Sequence, residues 1–505
     1  MRRVATACAI AALAVAGSGS VHAAGGKEID SVAPGDFSFG PMAVGQPKDL
    51  DHARAEGLGL VPPLPLDAYL NGVLAELLGQ SPVRQVPAKV YLRASGDWSA
   101  RSTADANIFV SLGILLRLDT EDEVAALLAH EAAHVILGHP NSDSVQAAQR
   151  RLAQLSALAV DAQRSIAQAR GTTADASAAD RARLEEQSRA LLLSTSVLSP
   201  SWTRGQERAA DRLGIDLMVR AGYSPQGMVG LLEKQQGFET ERAANPQASA
   251  LDEQLLGFDT VEKGQEKIEQ QQQKIGGTTG QLLGVLAGAA LKGAKKLADQ
   301  QLGEAGRSHP KTSERIGDVR QYIAAQYSGL AAPEPSAERW DEAKEADGTV
   351  EVLENYVAAI EAKGKLSDGD LAAARTLSKA GLAGPTKSHA YPNYVDASVQ
   401  IASSAPDQAR ADYDAALSGP EPAGAIYTSL SALSLASGRG DEAVEIMETG
   451  YRRLQEPPAL ALPLIRTYRQ AGRQGDADRL AAQCGIQWPT LQPLCSAEAK
   501  GTNAR

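Results

Sequence analysis

The sequence predicts a mainly α-helical protein with a mixed α+β domain in its N-terminal half. Aromatic residues make up only 4% of the chain and alanine is abundant, a composition that favours helices. Two short apolar stretches, at residues 88–92 and 105–110, alternate with helical patterns and predict a small sheet. Beyond residue 338 only helical patterns occur. A chain of 505 residues exceeds one ordinary core, so we expect two or more domains.

Residues 1–23 have the features of a secretory signal peptide. Arg2 and Arg3 precede an apolar run at residues 4–16, and the segment ends at Ala23, which fits a cleavage site. No later apolar run reaches the ~18 residues that span a bilayer. We therefore expect an exported chain with no transmembrane segment after signal removal. Residues 25–65, rich in Gly, Pro and Asp, are predicted to form an extended arm.

Charge and cysteine content limit the classes of partner and compartment. The chain has 50 basic and 61 acidic residues, and signal removal takes away two of the arginines and no acid. This acidic balance argues against nucleic acid or an anionic lipid surface as a partner. Cys484 and Cys495 lie outside the signal, and in an oxidising compartment we expect them to form a disulfide. Two free thiols or a second metal site are the alternatives.

After a predicted helix at residues 66–78 and the two strands, residues 130–134 read H-E-x-x-H. On a helix, His130 and His134 are one turn apart and can present their imidazoles to one metal ion. Glu131, one step round, lies beside the open coordination position, where it can accept a proton from an attacking water. The alternative is a helix with two ordinary histidines.

Local signals support a helix at this motif. Thr120 followed by Glu123 forms a capping box, and Gly138 and Pro140 end the helix. Apolar residues continue a helical stripe between these ends, which predicts an amphipathic helix.

The third ligand distinguishes the classes of zinc peptidase. A metzincin would need glycine and histidine where this chain has Leu137 and Pro140. His139 is therefore interpreted as a helix-end histidine, favourable against the helix dipole, rather than a ligand. A gluzincin takes a glutamate from a later helix, and Glu207 supplies one, with Asp211 one turn on to hydrogen-bond a ligand histidine. We expect one Zn2+ per chain, bound by His130, His134 and Glu207.

These motifs resemble a known family. H-E-x-x-H at residues 130–134, E-x-x-A-D at 207–211 and the H-P-x-x-x-x-R-I segment at 309–316 occur in this order. Together they are similar to the gluzincin peptidases that include HtpX and the CAAX prenyl proteases. The resemblance is closest to the BepA-like periplasmic zinc metalloproteases with tetratricopeptide repeats, and it covers roughly residues 66–322.

The resemblance implies roles for further residues. In such families the histidine and arginine of the last motif face the active site, so His309 and Arg315 are candidates for stabilising an oxyanion. In BepA-like members a loop histidine caps the zinc, which makes His309 a candidate inhibitory latch instead. The alternative is that Ser308-His309-Pro310 begins a helix and that Arg315 is a surface residue. In gluzincins a strand above the active-site helix receives the substrate as an added strand.

We assign that edge to Asn107, Ile108, Phe109 and Val110. The chain departs from the family pattern here, because Ser99-Ala100 stands where relatives have Asn-Ala and the expected Pro-Gly is missing.

Three further segments separate or follow these motifs. Residues 145–195 predict a helical hairpin, and residues 221–236 predict a helix. Residues 237–306 are interpreted as a helical insertion that contains an apolar patch followed by lysines. This patch is interpreted either as an amphipathic lid or membrane-touching segment, or as a mobile or packed helix. Residues 328–338 have the composition of a linker.

The C-terminal part, residues 339–505, shows an internal period. Ser437-Gly438-Arg439 recurs as Ala471-Gly472-Arg473, and Ala409, Ala443 and Ala477 share the same spacing of 34 residues, the tetratricopeptide period. We expect two or three degenerate repeats, with a generic helical bundle as the alternative. Such repeats bind protein segments in a concave groove.

The sequence as a whole predicts a zinc metalloendopeptidase domain at residues 24–327 joined to the tetratricopeptide-like domain. From the resemblance, its substrates are misfolded or stalled envelope proteins. Its repeats would dock the outer-membrane protein assembly machinery. The expected location is the periplasm, with a peripheral position at the outer membrane as an option. The alternative function is a periplasmic chaperone or adaptor whose zinc site is latched shut.

Overall fold

The computed structural model describes residues 26–56, 59–141, 202, 204–244, 312–330, 336–488 and 491–501. The described part is mostly helical with two small sheets, which confirms the predicted mainly α class. The predicted signal peptide, the hairpin at 145–195, His309 and residues 245–306 of the predicted insertion lie outside the described residues. No helix among the described residues is long and apolar enough to cross a membrane.

The N-terminal half contains seven helices and five strands among the described residues. The helices are α1 (Gln46–Ala55), α2 (Pro65–Leu78), α3 (Leu112–Leu115), α4 (Glu121–Ile136), α5 (Arg204–Ala221), α6 (Gln226–Ala244) and α7 (Thr312–Tyr327). The strands are β1 (Gly35–Asp36), β2 (Val83–Arg84), β3 (Lys89–Arg93), β4 (Ala100–Ser102) and β5 (Asn107–Ser111). Short 3-10 helices lie at Glu28–Ser31 and His139–Asn141. Helix α6 runs through residues 237–244, which the sequence assigns to the insertion.

The larger sheet has the order β3-β5-β4, with β3 parallel and β4 antiparallel to β5. The prediction that Asn107, Ile108, Phe109 and Val110 form a sheet edge is therefore wrong, because their strand is the central one and all four are buried. The central position of β5 explains why all its residues are buried, a pattern that is typical of an inner strand. The short, more polar β4, which the sequence analysis did not identify, has the character of an edge.

Helix α4 begins at the predicted capping box. The Thr120 hydroxyl accepts a hydrogen bond from the Glu123 backbone N–H (3.2 Å), and Glu123 accepts one from the Thr120 N–H (3.4 Å). The sequence predicts an amphipathic helix, but every residue from 121 to 135 is buried. The reason is that α4 packs against α2, α5, α6 and β4, so no side of it faces water along this stretch.

The segment that precedes α1 is held to the core by one buried carboxylate. Asp216 on α5 accepts hydrogen bonds from the Ile29 backbone N–H (2.8 Å), the Tyr322 hydroxyl (2.9 Å) and the Tyr327 hydroxyl (2.7 Å). This contact joins the N-terminal segment to α5 and α7. The predicted extended arm is thus only partly extended, since it also contains α1, which contacts β5.

The C-terminal half is helical throughout its described residues. Its helices are α8 (Glu338–Glu345), α9 (Val350–Ser367), α10 (Leu371–Gly381), α11 (Ala390–Ala402), α12 (Pro406–Ser418), α13 (Gly424–Ala436), α14 (Gly440–Arg453), α15 (Pro458–Gln470), α16 (Gln474–Gln487) and α17 (Gln492–Lys500), with a 3-10 helix at Gly384–Ser388. Cys484 and Cys495 form a disulfide that joins α16 to α17, with their Cα atoms 6.4 Å apart.

The 34-residue spacing of the sequence recurs in the backbone of these helices. Helices α11, α13 and α15 each end just before a residue with positive φ, namely Ser404 (58°), Gly438 (76°) and Gly472 (80°). A second helix then begins in each case, so three helix pairs share one geometry. The alanines at the common spacing, Ala409, Ala443 and Ala477, are fully buried where the helices meet.

The helices of the C-terminal half, here called the repeat helices, pack directly on the N-terminal half. Trp340 on α8 is fully buried, and its indole N–H donates to the Leu118 carbonyl (2.9 Å). Helix α1 lies against α13 and α15, where the Arg54 guanidinium binds Glu421 (2.5 Å) and His52 Nε2 lies 3.1 Å from the Gln455 carbonyl. The predicted linker at 328–338, of which residues 331–335 are outside the described part, therefore leads into a docked helix.

Replacing Asp216 should destabilise the N-terminal half. The change Asp216→Ala leaves two buried hydroxyls and one backbone N–H without their acceptor, so we expect a loss of about 3 kcal/mol in the free energy of unfolding. Thermal unfolding measured by circular dichroism checks this. As a matched control, Glu233→Ala removes a half-exposed carboxylate paired with Arg320 and should change stability by less than about 0.5 kcal/mol. Equal melting of both variants would contradict the assigned role of Asp216.

Candidate metal centre

Three side chains from two helices converge in the interior of the N-terminal half. His130 and His134 lie one turn apart on α4, and Glu207 comes from α5. One ligand atom from each lies within 4.8 Å of the others. The Nε2 atoms of the two histidines are 3.2 Å apart, and they lie 3.7 Å and 3.9 Å from the Glu207 carboxylate oxygens. The structure thus brings together the three residues that the sequence predicts as ligands.

The close approach of α5 to α4 depends on a glycine. Gly214 lies two turns beyond Glu207 on the same face of α5, and a Cβ atom there would be only 3.2 Å from the His130 backbone nitrogen. Since a side chain at this position would push the helices apart, Gly214 helps to bring the carboxylate of α5 to the histidines of α4.

A second layer of charged groups surrounds the ligands. His130 Nδ1 lies 2.9 Å from Asp211, which in turn accepts two hydrogen bonds from Arg315, from Nε (3.0 Å) and Nη2 (2.6 Å). Arg315 Nη1 lies 3.0 Å from Glu207. Burial alone would raise the pKa of Asp211, but the charge of Arg315 and the contact with His130 outweigh it and lower that pKa to about 2. Asp211 is therefore ionised and holds the proton of His130 on Nδ1, which leaves Nε2 free for a metal.

Arg315, predicted as an oxyanion group, lies within the site and contacts two of its carboxylates. Each of its three nitrogens already lies at hydrogen-bonding distance from a carboxylate of Asp211 or Glu207. The carboxylates keep its pKa raised in spite of burial, so it is a permanent cation within the site. His309, the other predicted oxyanion group, lies outside the described residues.

Glu131 points into the same region and is only 4% exposed. Burial raises its pKa to about 7, and the charge of Glu207 adds to this effect, while His130, the Ser102 hydroxyl of β4 and Arg315 lower it. Its Oε2 atom has no hydrogen-bond partner among the described residues. A carboxylate with a pKa near neutrality and an uncommitted oxygen has the properties of a general base.

The charges of the site are unbalanced. Among the described residues, the buried carboxyl groups of Glu131, Glu207 and Asp211 face one guanidinium, that of Arg315. Buried carboxylates without a compensating positive charge are costly, and a divalent cation between the ligand atoms would neutralise them. Two imidazole nitrogens and one carboxylate oxygen form a donor set that suits a catalytic divalent metal and leaves a position open. The residues present therefore fit a metal ion.

The sequence analysis did not assign His139 and Trp202 to the metal site, although both contact His134. His139 Nδ1 lies 2.9 Å from His134 Nδ1, and the Trp202 ring stacks on the His134 imidazole with centroids 4.5 Å apart. Burial and the charge of His130 lower the pKa of His139 to about 4, so it is neutral and does not act as the dipole-stabilised cation that its position at the helix end suggests. The only sequence signals were a third histidine close to the motif and a tryptophan shortly before Glu207.

Two of the four residues predicted as the substrate edge, Asn107 and Phe109, have their side-chain contacts elsewhere. The Asn107 amide donates to Asp49 (2.7 Å) on α1, and the Phe109 ring stacks on Tyr91 with centroids 5.6 Å apart. Both side chains therefore face α1 and β3, away from the cluster. The strand that reaches the site is β4, through Ser102.

Comparison with known proteins identifies similar chains. A profile of Peptidase family M48 matches residues 68–323, just over half of the chain. A protein named Beta-barrel assembly-enhancing protease from Yersinia pestis is 28% identical over 169 residues, which cover 34% of this chain and 32% of the relative. The protein of that name from Escherichia coli (strain K12) is 27% identical over 169 residues with the same coverage.

A Putative beta-barrel assembly-enhancing protease from Vibrio cholerae is 24% identical over 163 residues, which cover 32% of this chain and 31% of the relative. The chain therefore spans about a third of the length of the relatives that it matches.

The raised pKa of Glu131 predicts that this side chain destabilises the fold at neutral pH when metal is removed. A folded-state pKa above the usual 4.5 means that the folded protein binds the proton more tightly, so stability falls as pH rises from about 4.5 through about 7. In the presence of a chelator, Glu131→Gln should be more stable than wild type by up to about 3 kcal/mol at pH 8.

That difference should shrink to nothing near pH 4. Melting temperatures of both proteins across this range check the prediction, and a variant that is no more stable than wild type at pH 8 would contradict it.

Proposed function

The chain belongs to peptidase family M48, and on this premise we propose that it is a zinc-dependent metalloendopeptidase. The observation that carries the proposal is the buried cluster in which His130, His134 and Glu207 converge beside Glu131, with more carboxylates than cations. A structural metal site has four protein ligands and no open position for water. It would therefore have no need of a base such as Glu131.

Zinc is the metal that this donor set suits best, with one ion per chain held by the two imidazoles and the Glu207 carboxylate. When bound, it supplies a Lewis acid that polarises a scissile carbonyl and makes water acidic enough to attack near neutral pH. Asp211 keeps the proton of His130 on the nitrogen that faces away from the ligand cluster.

Glu131 acts as the general base in this proposal. Its carboxylate accepts a proton from the attacking water and delivers it to the leaving amine. Burial supports this role, because a group whose pKa lies near 7 can both take up and release a proton at neutral pH. The Ser102 hydroxyl of β4 lies beside it, so the base is next to the sheet edge.

The outer edge of β4, which pairs with no other described strand, is the proposed binding site for an extended substrate. The Ser111 N–H donates to the Ser99 carbonyl (3.0 Å) and the Thr103 N–H donates to the Asn107 carbonyl (2.9 Å), so these odd-numbered residues bond towards β5. By the alternation of an antiparallel pair, the backbone groups of Ala100 and Ser102 point the other way. A peptide added as a strand there would lie beside Glu131. The predicted edge function thus moves from β5 to β4.

Arg315 is proposed as an electrostatic clamp for Asp211 and Glu207 rather than as an oxyanion group. Its contacts with both carboxylates keep them ionised and fix their direction. His309 retains its two predicted roles, the oxyanion group and the inhibitory latch.

The proposed substrates are misfolded or stalled envelope proteins, and the proposed location is the periplasm. Support comes from the signal-like residues 1–23 and from relatives whose names specify β-barrel assembly. The repeat helices, proposed as a tetratricopeptide-like domain at residues 339–505, would dock partners of the outer-membrane assembly machinery. An adaptor function alone would need an open groove, but the described residues of α11 and α13 are almost all buried. This observation favours the peptidase.

Replacing the proposed base should abolish proteolysis. We expect Glu131→Gln to reduce cleavage of an unfolded outer-membrane protein by at least about 1,000-fold at equal zinc content, because the carboxylate that transfers the proton is lost. Gel-based cleavage assays with the mature chain measure this, and metal content is determined for each sample. Glu233→Gln, a half-exposed glutamate on α6, is the matched control and should cleave like wild type. Undiminished cleavage by the Glu131 variant would reject the assigned base.

Arg315 variants separate the clamp from the oxyanion role. If Arg315 is a clamp, Arg315→Ala leaves Asp211 and Glu207 buried without their cation, and zinc affinity should fall about 10- to 100-fold, with partial recovery in Arg315→Lys. If Arg315 is an oxyanion group, Arg315→Ala should instead lower kcat about 100-fold or more and leave zinc affinity unchanged. Competition with a chromophoric chelator measures the affinity, and steady-state kinetics at saturating zinc measure kcat.

A further inference from the structure

We propose that His139 and Trp202 position His134 for metal binding, through an imidazole acceptor on one side and an aromatic stack on its face. The inference rests on the proposed function, since it concerns the metal that the site would hold. It adds two positioning residues to the ligands and to the clamp formed by Asp211 and Arg315.

The first observation is the contact between the two imidazoles. Because His134 Nε2 faces His130 and Glu207, its other nitrogen, Nδ1, must carry the proton for Nε2 to be free as a ligand. His139 Nδ1 lies 2.9 Å from that atom. A hydrogen bond between these two atoms needs one donor and one acceptor, so a protonated His134 Nδ1 requires His139 Nδ1 as its acceptor. The contact therefore selects this tautomer of His134.

The chain turn after α4 makes this contact possible. Gly138 adopts φ of 67°, in the left-handed region that glycine populates freely. The turn ends α4 and leads into the 3-10 helix His139–Asn141, whose first residue packs back against the last turn of α4. Gly138, which is predicted to end α4, therefore also turns the chain so that His139 packs against α4.

The second observation is the stack of Trp202. Its ring lies 4.5 Å from the His134 ring centroid with an angle of 26° between the planes, and 5.8 Å from that of His139. An offset stack of this kind resists rotation of the imidazole about its terminal torsion. The hydrogen bond selects the nitrogen that carries the proton, and the stack holds the plane of the ring.

The two ligand histidines are thus supported differently. His130 has the carboxylate of Asp211 behind it, whereas His134 has the imidazole of His139. A carboxylate partner increases the basicity of a ligand imidazole, while a neutral acceptor fixes its tautomer and adds no charge. Since the site already contains three buried carboxyl groups, a fourth at position 139 would increase the charge imbalance.

The test measures zinc and cobalt affinity of the full mature chain by competition with a chromophoric chelator. His139→Ala should weaken both affinities about 10- to 100-fold, as loss of a hydrogen-bond partner of a ligand histidine does. His139→Asn keeps an acceptor atom near the position of Nδ1 and should recover binding to within about 3-fold of wild type. Trp202→Ala should weaken binding about 3- to 10-fold, and Trp202→Phe, which keeps a stacking ring, should bind like wild type.

Controls distinguish positioning from folding and from failure of the proposed function. His389→Ala, which removes a histidine of the repeat helices, should bind metal like wild type, and melting in chelator shows whether each variant is folded. Folded His139→Ala and Trp202→Ala variants with wild-type affinity would overturn this inference alone. Equal loss of affinity in His139→Ala and His139→Asn would overturn the tautomer argument. Wild-type protein that binds neither metal would overturn the inference together with the proposed function.

Discussion

The ion pairs that Arg315 makes with Asp211 and Glu207 are the interaction on which the rest of the site depends. They join α7 to α5 at the point where α5 meets α4, so one side chain connects the three helices that carry the site. Two buried carboxylates are stable there because the guanidinium offers a planar array of donors. Without this cation, burial would oppose the ionisation of Asp211 more strongly, and Glu207 would face the histidines without its guanidinium partner.

The same constraint explains why α4 lies in the middle of the N-terminal half. A helix that presents a general base and two ligands to a dry site must have neighbours on all sides, and α4 is buried from its first turn to its last histidine. Its polar first turn is tolerated because the residues are paired: Asp122 accepts from the Ser224 N–H (2.7 Å) and Glu121 binds Arg339 (2.7 Å). Through Arg339 and its neighbour Trp340, the repeat helices take part in closing the core around α4.

How much the sequence could predict depends on how local the signal is. The capping box at Thr120, the spacing of His130 and His134 and the 34-residue period involve residues close in the chain or repeated along it, and the structure shows all three. The order of strands in a sheet is not local, so the apolar β5 was assigned to the edge that β4 occupies. Helix α1 was missed because its sequence is polar, and its contacts with distant repeat helices stabilise it.

The contacts of the N-terminal segment also determine when the molecule can finish folding. The Glu28 N–H reaches a tyrosine hydroxyl 294 residues later, and His52 reaches a carbonyl 403 residues later. During synthesis the N-terminus emerges first, so α1 must wait for nearly the whole polypeptide before its binding surface exists. Contacts between such distant residues form slowly, because the entropy of closing a long loop is lost before any contact is gained. The first α-helix of the described chain is therefore among the last elements to reach its native position.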